Sequence, residues 1–255
     1  MTTALVTGAT AGIGESFTRL LAAKGFDLVL VARDKKRLQE RANSLSKKYR
    51  VEVEVLQADL SVPAQLARVE KRLSNPKKPI EVLINNAGFG IKDSFLASNI
   101  ADEILLMDVL AKAPMQLMHA VLPQMLRRDS GTIINVSSVA SFIAGGTYSA
   151  AKSYLTVHTE SLHTELSKTN IKISALCPGF THTEFHQRGK MKMSGLPNFM
   201  WLEADRVVAD SWRAAMSGQA ICIPGWQYKI LSTIARFGPR PLVRKLGIKV
   251  RARQR

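Results

Sequence analysis

Tyr148 and Lys152 stand four residues apart in Tyr148-Ser149-Ala150-Ala151-Lys152, a spacing that places both side chains on one face of a helix. A phenol with an ordinary pKa of about 10 is a poor acid–base group at neutrality. An ammonium beside it, joined by a second cation in a partly dry site, brings proton exchange within reach, a change worth roughly 3 to 4 kcal/mol. Tyr148 is therefore expected to handle a proton and Lys152 to supply charge. Ser137 and Ser138 close the preceding apolar run, where one hydroxyl can hold a carbonyl oxygen beside Tyr148, and Ser138 is the expected one. A Tyr four residues before a Lys is common on helices, so the pair needs support from its surroundings.

That support begins at Thr7-Gly8-Ala9-Thr10-Ala11-Gly12-Ile13-Gly14, which follows a short apolar run and opens a helix to about Lys24. Gly8 permits a tight turn, Gly12 lets backbone approach a pyrophosphate, and Gly14 allows close packing, while the N–H groups of the new helix face the anion. Gly8, Thr10, Gly12, Ile13 and Gly14 are accordingly candidate dinucleotide contacts. Where an NAD-preferring fold carries an acid for the ribose 2′-hydroxyl, this chain reads Val31-Ala32-Arg33. Arg33 can pair with a 2′-phosphate, with Lys36 and Arg37 within a turn of it, so NADP(H) is expected over NAD(H). Asp34 falls just beyond the strand.

The elements that must position these groups alternate. Short β-branched runs at 4–7, 27–32, 51–56, 82–86, 132–137, 171–177 and 220–223 are separated by helix-patterned stretches. Asp34 to Tyr49 is charged and amphipathic, Ser61 is placed to cap a helix running to Leu73, and Asp205 to Met216 is periodic. The predicted fold class is α/β, a single doubly wound Rossmann-type parallel sheet with helices on both faces, spanning 1–255 as one domain. Gly179 to Trp201 breaks the rhythm and is expected to be a lid, at about 180–201, over the site.

With Asn85-Asn86-Ala87-Gly88 after the fourth strand and Pro178-Gly179 after the sixth, these features fall in the order of one family, and the chain resembles the short-chain dehydrogenases/reductases over essentially its whole length. The lid and tail look most like those of actinobacterial NADP-dependent members. The resemblance implies hydride transfer between a nicotinamide and a carbonyl or secondary alcohol, with Tyr148 giving the proton and Lys152 also meeting the nicotinamide ribose. It further implies that Asp59 with Leu60 touches the adenine, and that Asn86, Ala87 and Gly88 line the cofactor groove. Pro178, Gly179 and Thr183 lie toward the nicotinamide end.

Two departures stand out. The family places an Asn where Leu110 aligns, and loss of that group leaves open a non-catalytic NADP(H)-binding regulatory or scaffold protein as the alternative. Pro114 has no N–H for the Leu110 carbonyl in α-helical register, so that carbonyl either accepts from a proton-relay water or marks a kink made for packing. The span from Ser138 to Tyr148 is also a few residues shorter than in most relatives, and Gly145-Gly146 is expected to absorb the difference while the substrate wall changes shape.

Composition narrows the partners. The net charge is +16, but Asp210 is the last carboxylate before a C-terminal extension (226–255) rich in Lys and Arg. No recognised nucleic-acid motif accompanies that charge, so no specific nucleic acid is expected. Apolar residues interleave with it, which fits either peripheral contact with an anionic membrane or a partly packed helix with a solvated basic end. No uninterrupted apolar run approaches a membrane span and no basic-then-apolar leader opens the chain, and Cys177 and Cys222 form no paired spacing, so a cytoplasmic enzyme is expected. His119, His158 and His163 lack metal spacing, and no metal site is predicted. His182 and His186 flank the lid, and Phe185, Leu196, Phe199, Met200 and Trp201 would give it an apolar lining suited to a bulky or acyl-type carbonyl substrate. By family analogy, the helices around Leu105 to Leu126 and Tyr148 to Leu166 would build a homodimer or homotetramer.

Overall fold

The computed structural model describes residues 2–185, 197–241 and 243–245. Seven parallel strands, β1 (Thr3–Thr7), β2 (Asp27–Ala32), β3 (Val53–Gln57), β4 (Ile80–Asn85), β5 (Gly131–Val136), β6 (Ile171–Leu176) and β7 (Ile221–Cys222), form one sheet in the order β3-β2-β1-β4-β5-β6-β7. The order reverses between β1 and β4, and the carboxyl ends of those strands are where a ligand crevice opens in such a sheet.

Both faces are covered, which is why the strands read as unbroken apolar runs. Ala4 and Val6 of β1 pack with Phe17, Leu28 and Leu30 on one side, whereas Leu5 packs with Val29, Leu83, Val121 and Leu155 on the other. The covering helices are α1 (Gly12–Ala23), α2 (Lys35–Tyr49), α3 (Pro63–Leu73), α4 (Ile100–Met107), α5 (Ala113–Arg128), α6 (Thr147–Glu165), α7 (Ala204–Met216) and α8 (Trp226–Phe237). The expected doubly wound architecture is present.

Several boundaries differ from the sequence expectation for identifiable reasons. The Ser61 side chain does not cap α3: its hydroxyl donates to Asp59 Oδ1 at 2.6 Å, and the helix begins instead at Pro63, whose fixed φ suits a first helical position. Asp34 is the cap of α2, accepting from the Arg37 N–H at 3.0 Å, so its carboxylate serves the helix. Between α4 and α5 the chain makes one π-helical turn, Asp108–Lys112, with Leu110 at its centre and Pro114 just inside α5. A proline without an N–H is accommodated where the register changes from π to α, so it does not break the run. The continuous stretch 100–128 is long and apolar enough by length and composition to cross a membrane. It packs against α3, β4 and β5 as a core helix of the sheet.

Candidate active site

The glycine loop is held from below by the end of β4. Thr7 Oγ1 accepts from the N–H groups of Asn86 and Ala87 at 2.9 and 3.0 Å, and Asn86 Nδ2 donates to the carbonyls of Thr7 and Gly8 at 3.0 and 3.1 Å. Nothing larger than glycine fits: a Cβ on Gly14 would lie 2.2 Å from the Gly8 carbonyl oxygen, and one on Gly12 would lie 2.8 Å from Thr183. Thr183, which follows β6 in the chain, thus lies against the loop. The start of α1 has no side-chain cap, leaving first-turn N–H groups for an anion. Glu15 in that turn is neutralised by Arg19 and Arg41 at 2.8 and 2.7 Å. These residues fit the pyrophosphate of a dinucleotide.

At the adenosine end, Arg33 follows β2 with its side chain 70% exposed, and its guanidinium is 3.9 Å from Asp59. Burial pushes the Asp59 carboxyl up, but hydrogen bonds from the Ser61 hydroxyl and N–H, with Arg33 nearby, hold it below the ordinary carboxylate value. Leu60 is buried in the core, so only its backbone is left for a ligand. Arg37 departs from the expectation that it backs up Arg33: its guanidinium forks onto Glu184 at 2.8 and 3.1 Å and reaches the Thr10 carbonyl at 3.4 Å. That pair raises the Arg37 pKa, chiefly through the hydrogen bond to Glu184.

At the other end, the two serines after β5 separate by role. Ser137 points into α6, donating to the Lys152 carbonyl at 2.9 Å and sharing a 2.7 Å contact with Thr156. Ser138 stands beside the Tyr148 phenol and lowers its pKa, while its Oγ accepts from the Ala140 N–H at 3.1 Å. The short span between them folds as a 3-10 turn, Val139–Phe142, and Gly146 enters α6 at φ +80, so Tyr148 reaches Ser138 despite the shorter chain. Lys152 is 4% exposed, and its Nζ donates to the Val136 carbonyl at 2.6 Å, 5.9 Å from the centre of the Tyr148 ring.

Burial pushes Tyr148 up to about 12, only partly offset by Ser138, and pushes Lys152 down to about 8. Among the protein's own groups, burial outweighs Ser138 in setting the phenol.

Phe89, Ile91 and Tyr148 all pack against the buried cluster of Leu106, Val109, Leu110, Ala111 and Ala151, and the Phe185 ring centre is 6.0 Å from that of Tyr148. The two stems of the expected lid are joined: Thr181 pairs with Leu202, the His182 N–H donates to the Leu202 carbonyl at 3.0 Å, and the Leu202 N–H donates to Phe180 at 2.9 Å. The intervening lid residues 186–196, including His186 and Leu196, lie outside the described residues. His182 stacks on Trp201 with ring centres 4.7 Å apart, while the His163 ring nitrogen contacts the Ile173 carbonyl at 3.2 Å.

Sequence reasoning missed Tyr228. Its ring occupies the space a Cβ on Gly179 would need, only 2.0 Å away, and its hydroxyl accepts from the Phe180 N–H at 3.0 Å and donates to the Met200 carbonyl at 2.5 Å. A glycine after a strand gives no sign of which distant aromatic fills the space beside it.

A sequence profile described as short chain dehydrogenase matches residues 2–193, three quarters of the chain. The chain belongs to the short-chain dehydrogenase family. It is an oxidoreductase of that type. A short-chain dehydrogenase from Sphingobium yanoikuyae, solved in complex with NADPH, is 34% identical with a TM-score of 0.85, over 91% of this chain and 93% of that one. A bulky-bulky ketone specific alcohol dehydrogenase from Comamonas testosteroni is 30% identical with a TM-score of 0.80, over 91% of each chain. An NADP-dependent 3-hydroxy acid dehydrogenase of Schizosaccharomyces pombe is 36% identical over 189 residues, 72% of this chain and 73% of the relative.

Proposed function

We propose that this short-chain dehydrogenase is an NADP(H)-dependent reductase of a bulky, largely apolar ketone or acyl-type carbonyl compound. The observation that carries it is Ser138 standing beside the Tyr148 phenol, with the Phe185 ring 6.0 Å from the Tyr148 ring and Phe89, Ile91 and Tyr148 packed on one apolar cluster. Ser138 holds the carbonyl oxygen and Tyr148, kept neutral by burial, hands it a proton as charge develops there. A bound dihydronicotinamide supplies the hydride. Lys152 contributes positive charge beneath Tyr148 and a donor for a ribose hydroxyl, with Asn86, Ala87, Gly88, Pro178 and Gly179 forming the groove between loop and phenol.

NADP(H) preference rests on Arg33 at the end of β2, with no acid in its place, and is supported by the NADPH complex of the Sphingobium relative. The bulk of the substrate is supported by the apolar wall and by the ketone named for the Comamonas enzyme. Free, buried Cys177 and Cys222 suit a reducing, cytoplasmic setting. Ile100, Ile104 and Met107 on α4 with Tyr154 and Val157 on α6 leave an exposed apolar surface suited to pairing with a second copy.

The deciding experiment follows NADPH and NADH oxidation against a panel of ketones, aldehydes and 3-oxoacyl thioesters, with Tyr148→Phe as control. Removing the phenolic proton should lower turnover about 100- to 10,000-fold while NADPH still binds. Tight binding with no Tyr148-dependent turnover on any carbonyl would overturn catalysis in favour of a binding role.

A further inference from the structure

We infer that α8 is a docking surface for an anionic lipid bilayer. The helix has two faces with different tasks. Its buried face is built from Gln227, Tyr228, Ser232 and Ala235. Tyr228, 2% exposed, ties Phe180 to Met200, and Gln227 Nε2 donates to the Phe199 carbonyl at 2.8 Å, so this face fastens both stems of the substrate loop.

The opposite face carries Trp226, Ile230, Ile234 and Phe237, spaced four, four and three residues apart and therefore aligned in one stripe. All four are exposed, Trp226 by 68% and Phe237 by 81%, and Phe199 beside the helix is exposed by 61%. An indole and a phenyl ring at the two ends of an amphipathic helix suit the boundary between headgroups and acyl chains.

Charge selects the occupant. Lys229 on the helix and Arg240, Arg244 and Lys245 just after it are exposed. From Ser211 to Arg255 the chain contains ten Lys or Arg and no carboxylate, so no acid on this segment repels a negative surface. Arg236 is the exception among the basic side chains of α8, since it turns back to Glu160 at 3.7 Å and lies over Phe142 at 5.4 Å. An apolar stripe rimmed by one sign of charge matches anionic lipid better than a second copy, in which the basic rims would face each other. Resting additionally on the proposed reduction of an apolar carbonyl, this docking would hold the enzyme where such a substrate dissolves.

The test is flotation of the full chain with vesicles of phosphatidylcholine alone or mixed with phosphatidylglycerol. Wild type should float with the anionic vesicles only and be released at high salt. Trp226→Ser/Ile230→Ser/Phe237→Ser should reduce recovery about tenfold or more, with NADPH binding reporting that the fold is intact. Phe237→Ser alone, at the exposed end of the helix, should give a smaller loss in the same direction and serves if the triple variant does not fold. Equal flotation of wild type and variants, or no flotation of wild type, would overturn the inference. So would a stripe whose removal halves the mass in solution without changing flotation, which would identify a second copy as the occupant. Flotation of a protein that reduces no carbonyl would count against the proposed reaction and leave the docking surface standing.

Discussion

Arg37 and Glu184 lock together beside the glycine loop, the guanidinium forking onto both carboxylate oxygens at 2.8 and 3.1 Å. The pair ties the start of α2 to the residue following Thr183, and Arg37 also reaches the Thr10 carbonyl of the glycine loop at 3.4 Å. Both side chains are partly exposed, which limits the pair to roughly 1 kcal/mol or less. Glu184→Gln should withdraw the competing carboxylate from Arg37 and tighten NADPH by up to about fivefold, while raising the substrate KM as the stem loosens. Isothermal titration and steady-state kinetics read the two effects separately, and unchanged values for both would show that the pair is only decorative.

The proposed role of Arg33 in choosing the cofactor rests on different geometry, since its guanidinium is exposed and, among the described residues, no carboxylate lies closer than the 3.9 Å of Asp59. A charge-assisted bond to a 2′-phosphate is worth about 1.5 to 3 kcal/mol, or roughly 10- to 100-fold in affinity. Arg33→Ala should weaken NADPH by that factor and leave NADH nearly unaffected. Parallel Kd measurements for both cofactors check this; a loss equal for both would place Arg33 in the scaffold and not at the phosphate.

Sheet and helices were legible because periodicity and glycine punctuation are local. The proximity of Tyr148 and Lys152 was legible because helical spacing and strand ends fix which side chains share an edge, and Ser137 is set apart from Ser138 because the backbone of α6 captures its hydroxyl. Less of the rest could be read. Ser61 prefers Asp59 to a helix cap, and Arg37 prefers Glu184 across 147 residues, because such choices depend on tertiary neighbours. The tail looked like a charged extension, yet Tyr228 within it is a fully packed strut against Gly179, a contact between positions with no shared pattern.

Gly88 and Leu110 offer a test of the family departure. A Cβ on Gly88 would stand 2.8 Å from Leu110 Cδ2 and 3.9 Å from Lys152 Nζ, and Leu110 is buried in the π-helical turn with little room to move. Gly88→Ala should therefore cost about 1 to 3 kcal/mol by overpacking, and Leu110→Ala about 2 to 5 kcal/mol by cavity formation. Together they should cost about 1 kcal/mol less than their sum, because the added methyl fills part of the new space. Chemical denaturation of the four proteins in the cycle decides it, and strict additivity would mean the two side chains do not share that space.

Lys152 links the site to stability through pH. Its folded pKa is pushed down to about 8 by burial from an ordinary value of 10.5, so between those values the unfolded chain binds the additional proton and stability rises with pH. From pH 7 to pH 9 this gain should amount to about 1 kcal/mol. Tyr148 acts in the opposite sense, but only at higher pH: raised to about 12, it holds its proton longer when folded, so stability falls as pH climbs above 10. Lys152→Met should remove the rise and leave the alkaline fall. Denaturation of wild type and Lys152→Met across pH 7 to 9 measures the difference directly. If the two curves run parallel, the ammonium is not desolvated as its 4% exposure requires, and the charge assigned to it beneath Tyr148 would have to come from elsewhere.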